Sequence, residues 1–172
     1  MKSIRILGLA SSVAMLTAGS AWAALIPPPN PNDWTQGKWE LNVAKSKFCA
    51  PANAQEKPVQ KATRDIVDMG WGMILVTMNT TREGGQPNRT RYLYRYDGQK
   101  YPGGGIDSAA TEAITWKQVG ATRVEFQHWS KDNKETADYV RTVSVDGQTM
   151  TQTAKYLTRS CNDESQVFDR RP

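Results

Sequence analysis

From Trp34 onward, apolar and polar residues alternate over short segments that turn sequences separate. The turns are Gly70-Trp71-Gly72, Gly84-Gly85, Asp97-Gly98, Gly103-Gly104-Gly105, Gly120, Asp132-Asn133 and Asp146-Gly147. The segments between them are rich in Thr, Val, Tyr and Trp, and short strands joined by hairpins indicate an all-β antiparallel sandwich or barrel. The predicted strands are 38–43, 62–69, 73–82, 89–97, 111–119, 122–130, 135–145, 148–158 and 165–170.

Two hairpin turns, at 132–133 and 146–147, fix the register of the three strands around them. Both turns place the same residues of strand 135–145 on one face, as a pleated strand requires. The predicted pairs are Val124 with Arg141, Phe126 with Tyr139, His128 with Ala137, Val143 with Met150, Arg141 with Gln152, Tyr139 with Ala154 and Ala137 with Tyr156. This face is apolar with a few polar residues, so it is expected to point inwards. Trp116 joins it, opposite Phe126, if the turn near Gly120 has an odd number of residues or a bulge.

Strand 89–97 also alternates, with three tyrosines on one face and three arginines on the other. One interpretation is a tyrosine ladder that packs in the core while the arginines stay in water. The other is that these phenols line a cavity, because a buried phenol needs a hydrogen-bond partner. In that case Tyr94 belongs to a ligand-binding wall.

The N-terminus has the order of a secretory signal peptide. Lys2 and Arg5 precede an apolar run, and Ala21-Trp22-Ala23 forms the cleavage motif. The run is too short and too interrupted by serines for a spanning helix, so no stable membrane insertion is expected. The predicted organisation is a signal peptide over 1–23, cleaved after Ala23, a Pro-rich leader over 24–33 and one β domain over 34–172. The protein is therefore expected to be periplasmic or secreted.

The two cysteines, Cys49 and Cys161, predict a disulfide in an oxidising compartment. Such a bridge would tie the start of the domain to its end and stabilise it by about 4–5 kcal/mol on the chain-entropy model. Removing the signal peptide lowers the formal charge from +5 to +3, since Lys2 and Arg5 are its charged residues. The remaining basic residues are scattered, so nucleic acid is not expected as a partner. The protein is expected to be a monomer or a weak homodimer.

Three motifs resemble a group of small exported bacterial proteins with lipocalin-like, calycin-type barrels. They are residues 37–48 (GKWELNVAKSKF), 96–102 (YDGQKYP) and 141–151 (RTVSVDGQTMT). The resemblance implies an up-and-down antiparallel barrel of eight to nine strands that holds one small ligand, with its mouth expected near the Gly103 loop. It also implies that Trp39 packs at the closed end against an arginine, for which Arg159 and Arg170 are the candidates.

Arg141 is the main candidate for ligand binding, because a charge on an inward face is costly unless paired and Gln152 cannot neutralise it. A guanidinium binds a carboxylate through two parallel hydrogen bonds, so a small acidic or aromatic hydrophobic ligand is expected. The alternatives are an ion pair with an acidic residue such as Asp65, or a hydrated position at the barrel end. The predicted ligand-binding residues are Arg141, Tyr139, Trp116, Phe126, Tyr156 and Tyr94.

The alternative function is a cofactor-free lyase or isomerase acting on a small aromatic compound in the same cavity. His128, the only histidine of the chain, would then be its general acid or base. A satisfied core histidine is the simpler interpretation, and one histidine without a visible orienting carboxylate favours a binding protein. No metal is expected, because Glu125 and Asp138 have the wrong parity and the cysteines pair; no cofactor motif is found either.

Overall fold

This computed structural model describes residues 33–49, 57–106, 112–159, 161 and 164–172. These residues contain ten antiparallel strands. The strands are β1 (Gly37–Leu41), β2 (Val59–Asp68), β3 (Ile74–Arg82), β4 (Asn88–Tyr94), β5 (Asp97–Pro102), β6 (Ala113–Gly120), β7 (Arg123–Trp129), β8 (Glu135–Val143), β9 (Thr149–Tyr156) and β10 (Glu164–Arg171). The predicted signal peptide and all but the last residue of the predicted leader lie outside the described residues.

The strands form one sheet in the order β4-β3-β2-β1-β10-β9-β8-β7-β6-β5, in which each neighbouring pair is antiparallel. Strands that follow each other in sequence are neighbours, except β4 and β5, and β1 joins β10. The sheet therefore curls into a nearly closed barrel with β4 and β5 at its two edges. Ile106, after β5, donates its backbone N–H to the carbonyl of Arg91 on β4 at 2.7 Å. The predicted all-β up-and-down barrel is confirmed, with ten strands rather than eight or nine.

The additional strand is β5, where the sequence pattern predicted a turn. The chain reverses at residues 95–96, before the Asp97-Gly98 pair that the pattern indicated as the turn. Gly98 has a φ of +73° and lies within β5, where the register against β6 shifts between Asp97 and Lys100. A glycine with positive φ serves a bulge as well as a turn, which is why the pattern is ambiguous at this position.

The registers of the two hairpins are confirmed. Phe126 lies opposite Tyr139, and Arg141 lies opposite both Val124 and Gln152. The pairing of β6 with β7 shifts between Gln118 and Gly120, and this bulge places Trp116 opposite Phe126. The buried interior is the face that the registers predicted, and Tyr94 of β4 is also fully buried, so the tyrosine face of that strand points inwards.

One end of the barrel is closed by Trp39 and Arg170. The Arg170 guanidinium stacks on the Trp39 ring at 4.3 Å and donates to the carbonyls of Gln36 and Trp34. Gly37 has a φ of +120°, and a Cβ there would lie 2.7 Å from Arg170 Nη1, so the position requires glycine. Of the two arginine candidates, Arg170 is therefore the partner of Trp39.

Cys49 and Cys161 are bonded, with their Cα atoms 5.7 Å apart and 112 positions between them in the sequence. The predicted disulfide is confirmed. Close to it, Lys47 and Ser165 exchange backbone hydrogen bonds at 2.7 and 2.8 Å. The bond therefore attaches the segment after β1 to the segment that enters β10, at the end of the barrel opposite Trp39.

Candidate functional site

A cavity of about 190 Å³ lies inside the barrel and is lined by inward-facing side chains of most of its strands. A second cavity of about 440 Å³ shares seven of these residues with the first and forms its mouth. The shared residues are Val59, Arg82, His128, Tyr139, Tyr156, Glu164 and Gln166. The Gly103 loop precedes Ala113, which pairs with Trp129 next to His128, and His128 lines the mouth. The loop therefore lies at the same end of the barrel as the mouth.

A larger concavity of about 870 Å³ follows the outer face of β5–β8, between side chains such as Lys117, Glu125 and Asp138. None of its lining residues is among the buried polar or charged residues of the described chain. Charges on this outer face are hydrated, whereas the interior cavity contains buried charge. The interior cavity is therefore the candidate functional site.

Four inward-facing rings, here called the aromatic ladder (Tyr94, Trp116, Phe126 and Tyr139), stack along the cavity wall. Tyr94 and Trp116 lie 3.9 Å apart with an angle of 5° between their planes. Trp116 and Phe126 are separated by 4.2 Å, and Phe126 and Tyr139 by 4.6 Å with an angle of 3°. Tyr156 meets the last ring edge-on at 6.1 Å. The bulge before Gly120 places Trp116 opposite Phe126, and the β7–β8 register places Phe126 opposite Tyr139, so three of the four rings lie on neighbouring strands.

Two buried guanidinium groups face the cavity, from Arg141 on β8 and Arg64 on β2, which are 1% and 5% exposed. Both donate to the same atom, Oε1 of Gln152: Arg141 from Nη2 at 3.1 Å, and Arg64 from Nη1. Arg64 also donates from Nη2 to Oε1 of Gln166 at 3.1 Å and lies over the Phe168 ring. Gln152 therefore holds two cationic side chains next to each other.

Neither charge forms an ion pair within the described part of the chain; Glu164, the carboxylate that lines the same cavity, accepts hydrogen bonds from Tyr156 and Gln166 instead. The described salt bridges all lie on the surface, and neither Arg64 nor Arg141 takes part in one. Burial, and secondly the charge of Arg141, lower the pKa of Arg64 to about 9, so its guanidinium is still protonated at neutral pH. Two adjacent buried cations without an anion are electrostatically unfavourable.

Four buried polar atoms of the two arginines and of Tyr94 have no hydrogen-bond partner among the described residues. They are Arg64 Nε, Arg141 Nε, Arg141 Nη1 and the Tyr94 hydroxyl. The Arg141 guanidinium lies 5.4 Å from the Trp116 ring and 5.3 Å from the Phe126 ring, so it stands against the aromatic ladder. The unused donors therefore belong to the same wall as the apolar rings.

Burial raises the pKa of the Tyr94 phenol, with the Arg141 charge opposing the shift only in part. Burial likewise raises the pKa values of Tyr92, Tyr139 and Tyr156. These phenols are therefore neutral at physiological pH. They can donate hydrogen bonds to an anion, but they do not supply a phenolate base.

The residues predicted from the sequence come together at this site. Arg141, Tyr139, Trp116, Phe126, Tyr156 and His128 all line the cavity, and Tyr94 stacks behind Trp116. Among the described residues Arg141 forms no ion pair with Asp65 or another carboxylate; its hydrogen bond goes to Gln152, and its side chain is buried rather than at an exposed end of the barrel. Sequence reasoning missed Arg64, although it alternates with the buried residues Ala62 and Ile66 on β2.

His128 lies where the inner cavity meets the mouth, with its ring 4.8 Å from that of Tyr139. Burial lowers its pKa to about 4, so the imidazole is neutral at pH 7. None of the hydrogen bonds among the described residues reaches its ring nitrogens; the backbone carbonyl of His128 accepts one from Thr136. The described residues contain no cluster of three or more His, Cys, Asp or Glu side chains that could hold a metal ion.

The lowered pKa of His128 predicts a loss of stability on acidification. In the unfolded chain a histidine takes up its proton near pH 6.5, whereas the folded protein resists protonation down to about pH 4. Stability is therefore expected to fall between about pH 6.5 and 4, by about 1–2 kcal/mol after allowing for partial exposure. Urea unfolding at several pH values measures this slope.

The matched variant for this measurement is His128→Gln, which is expected to flatten the stability profile between about pH 4 and 6.5. Asp97, Asp146 and Asp169 have pKa values lowered by hydrogen bonds, so their contribution is lost only at lower pH. An unchanged slope in His128→Gln would show that another group causes the acid sensitivity.

No protein-family model matches the sequence, and no curated protein matches it. Solved structures do match the fold. Fatty-acid-binding protein 1 of Echinococcus granulosus is 16% identical with a TM-score of 0.58, and the match covers 81% of this chain and 98% of that one. As-p18, an extracellular fatty acid binding protein, is 11% identical with a TM-score of 0.58, and the match covers 81% of this chain and 97% of that one. The wild-type fluorescent protein UnaG is 14% identical with a TM-score of 0.57, and the match covers 79% of this chain and 96% of that one.

These likenesses show the fold: a nearly closed antiparallel barrel like those of fatty-acid-binding proteins. At this level of identity they do not extend to the residues of the cavity. Within the part of the chain that the structure describes, no helix has the length and apolar character needed to cross a membrane. The disulfide is consistent with export.

Proposed function

We propose that this protein is exported and binds a small hydrophobic acid inside its barrel, with the carboxylate held between Arg64 and Arg141. The observation that carries the proposal is the buried guanidinium pair, which has no anionic partner among the described residues and retains unused donors. An incoming carboxylate neutralises one charge and accepts these hydrogen bonds. Charge-assisted hydrogen bonds of this kind are shorter and stronger than neutral ones.

The rest of the cavity suits the apolar part of such a ligand. The aromatic ladder and aliphatic side chains such as Leu41, Met78 and Ile114 form its wall. Ligand cavities in proteins are commonly apolar with a few fixed polar groups. Two of the similar structures are named as fatty-acid-binding proteins, which supports a ligand with an acidic end and an apolar body.

Export is supported by the A-x-A motif that ends at Ala23 and by the bonded cysteines. In this proposal the signal peptide is cleaved after Ala23 and the barrel acts in the periplasm or outside the cell. Binding is favoured over cofactor-free catalysis because His128 is neutral and no carboxylate among the described residues orients its ring. At neutral pH the imidazole lacks the second proton that a general acid would give, and its lowered pKa makes it a weak general base.

Isothermal titration calorimetry with acids and the alcohols of the same carbon skeleton tests the proposal. The pairs are 2-naphthoate with 2-naphthylmethanol and undecanoate with undecan-1-ol. Hydrogen bonds to charged groups contribute about 1.5–3 kcal/mol, so at least one acid should bind about 10- to 150-fold more tightly than its alcohol. Equal affinities within both pairs, or no binding of either acid, would contradict the proposal.

A further inference from the structure

The stacking of the aromatic ladder determines what its rings present to a ligand. Trp116 is covered on one face by Tyr94 and on the other by Phe126, and Phe126 is covered by Trp116 and Tyr139. Rings with both faces covered can present only their edges to the cavity. Aromatic edges carry the positive part of the ring quadrupole and prefer to meet the negative face of another ring. A planar aromatic ligand offers such a face, whereas an alkyl chain does not.

The distance from the guanidinium pair to the mouth is short. On β8 it runs from Arg141 to Ala137, and on β9 from Gln152 to Tyr156, which is four residues on each strand. Four residues span about 13 Å along a strand, or about 10 Å along the axis when strands tilt by 35–45°. With C–C bonds of about 1.5 Å, an extended sixteen-carbon acid is about twice as long as this interval.

The volume of the inner cavity also limits the size of the ligand. The inner cavity measures about 190 Å³, below the roughly 300–1,000 Å³ of pockets that bury drug-sized ligands. A long chain anchored at the arginines would extend through the mouth, past the neutral imidazole of His128 and the Tyr156–Glu164 hydrogen bond. Its outer half would lie in and beyond the mouth, among charged side chains such as Arg82 and Glu164, and would gain less from burial than the inner half.

We infer that the acid bound by this barrel is a planar aromatic carboxylate of one or two rings, and that long-chain fatty acids are not its preferred ligands. This inference rests on the proposed function, since it assumes that the arginine pair holds the carboxylate. It assigns the aromatic ladder a role in specificity: the guanidinium pair selects the charge, and the ring edges select the shape of the ligand.

The test is a calorimetric comparison of three acids: 2-naphthoate, undecanoate with the same number of carbons, and palmitate. The expected result is that 2-naphthoate binds about tenfold or more tightly than undecanoate, because it adds edge-to-face contacts at equal charge. Palmitate should bind no more than about threefold more tightly than undecanoate, since its additional carbons lie beyond the mouth. The alcohols of the first two acids serve as neutral controls.

The outcomes separate the inference from the proposed function. If undecanoate equals 2-naphthoate, or palmitate exceeds undecanoate about tenfold, while the acids still exceed their alcohols, the inference on shape is wrong and the proposed function stands. If the acids do not exceed their alcohols, the proposed function itself fails.

A variant of the central ring gives a second readout. Phe126→Leu removes the ring that stacks between Trp116 and Tyr139, while the arginine pair and Gln152 are unchanged. The preference for 2-naphthoate over undecanoate is expected to fall to about threefold or less, because the stack of ring edges is interrupted. An unchanged preference in the folded variant would show that the aromatic ladder does not select the ligand.

Discussion

Replacing Arg141 with methionine is expected to weaken the binding of 2-naphthoate by about 30- to 150-fold, the equivalent of about 2–3 kcal/mol for a lost charged hydrogen-bond anchor. Methionine keeps the length of the side chain and removes the charge. Because Arg141 is 1% exposed and contacts no carboxylate among the described residues, its removal also relieves a buried like-charge contact with Arg64. The variant should therefore keep or raise its melting temperature without ligand.

Calorimetry with 2-naphthoate and 2-naphthylmethanol, together with thermal melts, measures both effects. The matched control is Arg123→Met, which removes an exposed arginine whose ion pair with Glu125 lies on the outer face. This control should change neither the affinity nor, by more than a few degrees, the melting temperature. Unchanged acid affinity in Arg141→Met, with a melting temperature several degrees lower, would mean that Arg141 stabilises the fold and does not bind the ligand.

Replacing Gln152 with glutamate is expected to abolish acid binding, with a loss in affinity of more than about 100-fold. Gln152 Oε1 already accepts from both arginines, and glutamate has the same shape with a second acceptor oxygen and a negative charge. The introduced carboxylate would take the place that we propose for the carboxylate of the ligand. It would form a paired internal charge group, so the melting temperature of the unliganded protein should rise by several degrees.

The same substitution at Gln60, Gln60→Glu, is the control, because Gln60 is an exposed residue of β2. It should leave both acid affinity and melting temperature unchanged within error. Gln152→Glu that binds 2-naphthoate as well as the unmodified protein would contradict the proposed position of the carboxylate, even if the variant is more stable.

The position of Arg141 could be predicted from the sequence because two tight turns fixed the register of three consecutive strands. Once Asp132-Asn133 and Asp146-Gly147 are taken as turns, the pleat determines which residues share a face. Arg64 follows the same rule, since its strand is joined to β3 by the Gly70-Trp71-Gly72 turn and pairs Ile66 with Val76. The sequence indicates its inward position only when the turn at residues 69–73 also sets a register.

Other features of the site depend on geometry that alternation does not encode. That Gln152 accepts from two arginines depends on side-chain conformations drawn from three strands, β2, β8 and β9. Stacking of Tyr94 on Trp116 joins strands β4 and β6, which are not paired, so no register predicts it. Alternation also does not predict β5. A positive φ at Gly98 is compatible with a turn or a bulge, and only the packed barrel distinguishes them.

The central claim is that a ligand carboxylate lies between Arg64 and Arg141, and an X-ray structure of the protein with 2-naphthoate tests it most directly. The predicted result is a carboxylate within about 3.2 Å of Arg141 Nη1 and of at least one Arg64 nitrogen, with the rings against the edges of Trp116 and Phe126. A carboxylate at the mouth beside Arg159, with Arg64 and Arg141 bound only to Gln152 and Gln166, would contradict it.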